Sequence, residues 1–342
     1  MSIFDDCHIS LAHGNGGRFM RELIEEIFAE HLGNDKLDIT SDAAQIDLPP
    51  GMVPMVTTDG FIVQPLEFPG GNIGSLAVHG TANDLAVSGA KTLYMTLNAI
   101  IEEGLEIKTL DRIIASLGQA ARDANIKIVA GDTKVTPRGY GGGLYLATTG
   151  FGVRDSNTVL GLDTLKDGDK ILVSGPIGDH GIAVMLAREA FDLHGDVKSD
   201  NACVWPLTQC LLDLEGLRFM RDPTRGGLAM VCNEIAHVSE TDVVLEQALI
   251  PVRDPVASVC EILGYDPYYL ACEGRVVAII APKDADTALS RWQAMPDGRD
   301  AKIIGNIVKG KSKGKGRVIL KTPIGGTRIL DELEDDPLPR IC

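Results

Sequence analysis

The chain has no excess of basic residues: 32 lysines and arginines stand against 48 aspartates and glutamates, a formal net charge of -16. Proteins that bind duplex nucleic acid present a basic surface to the phosphates, which argues against a nucleic-acid partner. No apolar run reaches the roughly 18 residues of a membrane helix, so no membrane partner is expected. The opening segment MSIFDDCHIS lacks the basic start and long apolar stretch of a secretory signal, and the expected location is the cytoplasm. The seven cysteines (Cys7, Cys203, Cys210, Cys232, Cys260, Cys272 and Cys342) are odd in number and form no CxxC pair. Neither a disulfide framework nor a structural zinc site follows, and most of them read as small buried hydrophobes. Also absent are the phosphate-loop pattern GxxxxGK[ST] and a dinucleotide-binding glycine fingerprint after a first strand. If ATP binds, another architecture must hold it. An acidic chain can do so, because metal ions and backbone N–H groups neutralise the phosphates.

What is present fits two domains of α/β type: 342 residues, 44% hydrophobic, with 38 glycines. A helix is expected over 18–31, with Phe19, Leu23, Ile24, Ile27 and Phe28 on one face. A strand over 52–57 is expected to end in an acidic turn at Thr58-Asp59-Gly60. Helices over 72–88 and 110–125 alternate with strands over 93–101, 127–130 and 144–153. That alternation indicates layered helices and sheet. Text rich in turn residues at 155–169 marks a boundary between a domain at 1–155 and another at 156–327. The second contains a strand over 170–174, the glycine-rich turn GPIGDHG (175–181), a helix over 228–237, and strands over 276–280 and 302–308. A basic run at 309–321 reads as a solvated loop. The segment 328–342 is an acidic, proline-containing tail that ends in Cys342 and is expected to be extended. It is either a frayed end or a working arm.

Four expected acidic turns carry candidate metal ligands: Asp42 in SDAA, Asp59 in TTDGF, Asp84 in GTANDLAVSGA and Asp132 in AGDTKV. Magnesium takes oxygen ligands and binds through carboxylates and nucleotide phosphates. Each aspartate alone is more often a turn former or cap, but several such turns together, each beside Gly, Thr or Asn, point to a shared phosphate–metal site. Asn83 adds an amide beside Asp84. Lys134 shares a strand face with Asp132, as either a phosphate-directed ammonium or a plain surface lysine. His13, Gly14, Gly16 and Gly17 in AHGNGG bring backbone amides within reach of an anion ahead of a helix N-terminus. In RDPTRGG, Asp222, Thr224, Arg225, Gly226 and Gly227 form either a phosphate-facing turn or a structural one with an Arg–Asp pair. Glu273 in ACEGR is either a poised base or the partner of Arg275 in a salt bridge.

Taken in order along nearly the whole chain, AHGNGG, TTDGF, GTANDLAVSGA, AGDTKV, GPIGDHG, DPTRGG, ACEGR and the terminal Pro-Arg-Ile-Cys resemble the HypE branch of one superfamily. That superfamily includes aminoimidazole ribonucleotide synthetase, selenophosphate synthetase and thiamine-monophosphate kinase. The resemblance implies a two-domain aminoimidazole ribonucleotide synthetase-like fold with an extended C-terminal tail, and a homodimer joined through the N-terminal domains. It implies ATP and Mg²⁺ between the domains, with Thr133 among the nucleotide contacts. It implies a carbamoyl group received by Cys342 from a carbamoyltransferase partner (HypF) and dehydrated to a thiocyanate, with Glu273 and Lys134 as the catalytic pair. The cyanide is then delivered to iron on a HypC–HypD scaffold for [NiFe] hydrogenase. Selenophosphate synthesis is disfavoured, because His8 rather than a lysine follows Cys7. Competing readings are a small-molecule kinase or cyclase of the same superfamily, and a non-catalytic scaffold.

Overall fold

The computed structural model describes residues 3–41, 43–188, 196–309 and 316–333. These form two compact units, one of residues up to 85 together with 90–156, the other of 86–89 together with the chain from 157 onward.

The first unit is built on a four-stranded sheet. Its strands are β1 (Val53–Phe61), β4 (Lys91–Glu102), β5 (Lys127–Thr136) and β6 (Leu144–Arg154), and a small hairpin pairs β2 (Glu67–Phe68) with β3 (Gly71–Asn72). The sheet order is β1-β6-β4-β5. Only β4 and β5 run parallel, and α4 (Ile107–Asp123) supplies the crossover that a parallel pair requires. Helix α4 forms because Ile107, Leu110, Ile113, Ile114 and Leu117 recur every three or four residues and bury one stripe. Helix α3 (Ile73–Val87) differs: Ile73, Leu76, Ala77, Val78, Ala82 and Leu85 are buried nearly all round. It packs on β6, where Thr148 Oγ1 donates to the Ala77 carbonyl at 3.3 Å. The segment expected to be one helix over 18–31 is interrupted. A π-turn at Ile24–Ala29 separates α1 (Arg18–Leu23) from α2 (Glu30–Leu32), which keeps Leu23, Ile27, Phe28 and Leu32 inward.

The other face of this sheet is open. Val56 is 64% exposed and Ile100 40%, and Thr58 and Asn98 share that face through the strand register. Strand β1 alternates half-buried and exposed along its length. Two expectations are corrected here. TTDGF is not a turn, because β1 continues through Asp59 to Phe61, held against β6 with Asp59 opposite Thr148. AGDTKV is not a turn either, because β5 continues to Thr136 with Asp132 opposite Asn98. Asp84 lies inside α3 rather than at its end.

The second unit carries a seven-stranded mixed sheet in the order β13-β12-β9-β11-β7-β10-β8. The strands are β7 (Lys170–Val173), β8 (Leu217–Arg221), β9 (Thr241–Glu246), β10 (Val277–Ile280), β11 (Lys302–Lys309), β12 (Val318–Lys321) and β13 (Thr327–Ile329). All four residues of β10 are apolar and buried, as a strand covered on both faces demands. On one side Val277 and Ile279 meet Leu228 and Ile235 of α7 (Gly227–Ser239). On the other, Ala278 and Ile280 meet Leu207 of α6 (Trp205–Gln209) and Trp292 of α9 (Pro282–Gln293). Helices α5 (Asp179–Ala187) and α8 (Asp254–Leu263) pack together beside this core through Ile182, Ala183 and Val256. No helix of the described residues is long and apolar enough to cross a membrane.

Candidate active site

In the first unit, β1 alternation turns Thr57 and Asp59 toward the helices, where the Thr57 hydroxyl donates to Asp84 Oδ2 at 3.0 Å. Asp59 accepts from the Gly60 N–H at 2.8 Å and lies over Gly80, one helical turn before Asp84. These two aspartates, with buried Asn83, therefore occupy one corner of the unit. Asp132 and Lys134 do not join them. They form an ion pair at 2.6 Å with side chains 53% and 65% exposed, and Lys134 holds the Asp132 carboxyl below its ordinary range. They project from the open face, and β5 is the opposite edge of the sheet from β1, on the order of 14 Å away at three strand spacings. Thr133, between them, points inward and is buried. Among the described residues no three His, Cys, Asp or Glu side chains converge to hold a metal. Within the described residues Asp132 thus lies apart from Asp59 and Asp84, because strand alternation and edge position divide them. Asp42 and Cys342 lie outside the described residues.

The AHGNGG segment is a 3₁₀ turn (Leu11–Gly14) followed by the exposed Gly16 and Gly17, and Gly17 caps α1. His13 is turned inward: it is 1% exposed, its Nδ1 accepts the Ser10 N–H at 3.0 Å, and its ring meets Phe19 edge-on. Gly14 packs against Val135, so the turn flanks the strand that carries Asp132 and Lys134.

In the second unit, three of the segments singled out in the sequence meet. The register explains why. Strand β10 lies antiparallel between β7 and β8, with Val277 facing Val173 on one side and Arg221 on the other. The loops leaving β7 and β8 therefore emerge where the loop entering β10 arrives. The GPIGDHG loop reaches it through the Gly178 N–H, which donates to Cys272 Sγ at 3.3 Å, and the Gly181 N–H, which donates to the Ala271 carbonyl at 3.2 Å. The DPTRGG loop reaches it through the Pro223 carbonyl, which accepts the Cys272 N–H at 3.0 Å. Gly226 and Gly227 both adopt positive φ (71° and 59°), and a Cβ on Gly227 would sit 2.5 Å from the Leu270 carbonyl oxygen. Only glycine fits that turn into α7. Asp222 is buried, Thr224 half-buried and Arg225 exposed.

Glu273 follows Cys272, the residue that both other loops contact, and is 4% exposed. Its N–H donates to Asp200 Oδ1 at 3.1 Å, and the Gly274 N–H donates to Asp200 Oδ2 at 3.3 Å. Arg275 makes ion pairs with Asp200 at 3.4 Å and Asp179 at 3.8 Å, and its Nε donates to the Pro176 carbonyl at 3.0 Å. The Asp179 side chain is 1% exposed, and its Oδ1 has no hydrogen-bond partner. Burial pushes its carboxyl up to about 6, with Arg253 and Arg275 opposing and Asp200 reinforcing the rise. Asp179, Asp200 and Arg253 were not among the candidates legible in the sequence. Asp179 lies within GPIGDHG, whereas Asp200 is 73 residues from Glu273 and carries no local signal.

The described cysteines are all free. Burial pushes the Cys232 thiol up to about 12, Cys260 to about 11, and Cys272 well above its ordinary value. These three are ill suited to be nucleophiles at neutral pH.

Comparison with known proteins places the chain. The AIR synthase related protein N-terminal domain matches residues 40–154, and the corresponding C-terminal domain matches 166–316. Carbamoyl dehydratase HypE of Azotobacter vinelandii is 45% identical over 335 residues, spanning 98% of this chain and 97% of its own. A crystal structure of hydrogenase maturation protein HypE in complex with ATP superposes with a TM-score of 0.91 at 40% identity, covering 97% of this chain and 99% of that one. HypE from a HypE–HypF complex superposes with a TM-score of 0.78 at 41% identity, covering 91% and 99%. With matches across nearly its whole length and both domain models in order, the chain belongs to the HypE family of carbamoyl dehydratases, within the AIR synthase related proteins.

Proposed function

We propose that this protein uses ATP to dehydrate a carbamoyl group carried on its own Cys342 to a thiocyanate, the source of cyanide for the iron of [NiFe] hydrogenase. The observation that carries this reading is the meeting of two glycine-containing loops on Ala271 and Cys272, next to the buried Glu273 of a third, in a family whose relatives are named carbamoyl dehydratases. The amide oxygen of an S-carbamoyl group is a poor leaving group. Transfer of the terminal phosphoryl group of ATP to that oxygen converts it into phosphate. Cleavage of the C–O bond, with loss of both N–H protons, then leaves S–C≡N, ADP, phosphate and a proton. Glu273 takes an N–H proton as general base, and Lys134 is the second residue of the pair.

In the first unit we assign phosphate contacts to the amides of Gly16 and Gly17 beside the helix they cap, with Gly14, Thr133 and the inward-turned His13 shaping that turn and strand. In the second we assign them to Thr224, Arg225 and the amides of Gly226 and Gly227, positioned by Asp222. Asp59 and Asp84 at one corner, supported by Asn83, and Asp132 on the opposite edge present only oxygen donors; we assign them to magnesium held together with nucleotide phosphates rather than to one all-protein cage. Magnesium, when bound, neutralises charge on the transferring phosphoryl group. Asp42 is a further assigned ligand outside the described residues. The carbamoyl donor is a carbamoyltransferase of the HypF kind, in line with the solved HypE–HypF complex, and the acceptor of cyanide is a HypC–HypD scaffold. A homodimer through the first unit would cover the exposed Val56 and Ile100 on its open sheet face. The location is the cytoplasm.

The test is mass mapping of the C-terminal peptide. Protein carbamoylated by its transferase is isolated and then given MgATP. One carbamoyl mass on Cys342, followed by loss of one water only with ATP, is the expected result. The Glu273→Gln variant should bind ATP and carry the carbamoyl group yet lose no water. An unmodified Cys342 beside an active transferase would overturn the proposal in favour of a free-substrate kinase or cyclase.

A further inference from the structure

We propose that Asp200 is a positioning residue for Glu273: its buried carboxylate fixes the backbone from which that base acts. The proposal rests on the reading of Glu273 as the base. Three consecutive residues meet on one carboxylate, because Asp200 accepts the N–H groups of Glu273 and Gly274 and forms an ion pair with the Arg275 guanidinium. The Glu273 peptide is held from its other end too, since the Ala202 N–H donates to the Glu273 carbonyl at 3.4 Å. The two segments lie so close that a Cβ on Gly274 would fall 1.8 Å from the Asp200 carbonyl oxygen. The Asp200 side chain is fully shielded from solvent.

Stability alone does not favour this arrangement. Two buried carboxylates, Asp179 and Asp200, share the Arg275 guanidinium, and desolvating charges of like sign is costly. What the arrangement supplies is a fixed Glu273 main chain, and a misplacement of about 1 Å at a catalytic group can lower a rate by roughly 100-fold. Charge-assisted N–H bonds to a carboxylate are the stronger kind, which suits a clamp of this sort.

The experiment compares wild type, Asp200→Asn, Glu273→Gln and the double variant in single-turnover dehydration of the carbamoylated protein, with rates taken per folded molecule. Asp200→Asn should lower kcat by roughly 100-fold with KM for ATP within about twofold. It should add nothing in the Glu273→Gln background, because both changes remove the same function. If Asp200→Asn yields no folded protein, Asp200→Glu, which keeps the charge but displaces the carboxylate by one methylene, should lose about tenfold in kcat alone. A wild-type rate in either Asp200 variant, equal losses in kcat and ATP affinity, or additive losses in the double variant would overturn the positioning role. A wild-type rate for Glu273→Gln alone would instead overturn the assignment of the base.

Discussion

The Asp132–Lys134 pair and the Asp179–Arg275–Asp200 network are both acid–base contacts at assigned catalytic residues, yet they sit at opposite ends of the burial scale. The first is short, at 2.6 Å, but its side chains are more than half exposed on an open sheet face. The second has longer ion pairs, 3.4 and 3.8 Å, between side chains no more than 8% exposed. Distance therefore does not rank them. Exposed pairs contribute about 0–1 kcal/mol because water screens them and two flexible side chains must be ordered. Buried charges act differently, since the loss of one partner leaves another desolvated and unpaired. The exposed pair is poised to reorganise around phosphate, whereas the buried network is poised to stay still.

Removal of Arg275 breaks the comparison most sharply. Arg275→Met should leave the buried Asp200 without its ion pair and Asp179 with Arg253 alone, at a cost of about 3–5 kcal/mol. For a unit of this size that corresponds to a fall of about 10 °C in Tm. Thermal unfolding measures it, and an unchanged Tm would remove the network from any structural role.

A smaller effect should appear as a pH dependence. The folded protein holds the Asp179 proton more tightly than the unfolded chain does, at about 6 against 3.8. The group therefore favours folding most below its unfolded value, and that contribution is lost as pH rises through about 6. The difference amounts to about 3 kcal/mol. Asp179→Asn cannot titrate, so wild type should lose stability relative to the variant between pH 4 and pH 6 and stay lower above that. Urea midpoints of both proteins at pH 4 and pH 7 report this directly. A difference that does not change with pH would mean that Asp179 titrates as an ordinary carboxylate.

The same contrast separates what was legible in the sequence from what was not. Helix α4 was legible because its apolar stripe is a local period, and so was the turn into α7, because paired glycines after Pro223 leave little else to form. The full lengths of β1 and β5 were not. Asp59-Gly60 and Gly131-Asp132 carry turn chemistry, and only pairing with β6 and β4 holds them extended. That pairing also separates Asp59 and Asp84 from Asp132, a division no spacing rule reports. That Asp132 and Lys134 share a face when the segment is extended was legible, because a strand period is local, but their ion pair was not. Asp200 could not be paired with Glu273, because the contact spans 73 residues and depends on how β7, β10 and β8 line up.

Lys134 should give the smallest structural effect and a large chemical one. In Lys134→Ala the Asp132 carboxyl loses the hydrogen bond that holds it low and moves back toward its ordinary range. Because both side chains are largely in water, the fold should lose less than about 1 kcal/mol and Tm should shift by no more than a few degrees. Dehydration should nonetheless fall by about 100-fold if the ammonium acts on the reacting group, a loss typical for one catalytic proton-transfer or charge-stabilising contact. The two readouts, melting and single-turnover rate, must diverge. A fall in both together would make the pair a structural contact after all, and a fall in neither would leave Lys134 a surface lysine. Set beside Arg275→Met, the divergence would establish that this protein keeps its mobile charge on the open strand and its fixed charge behind the base.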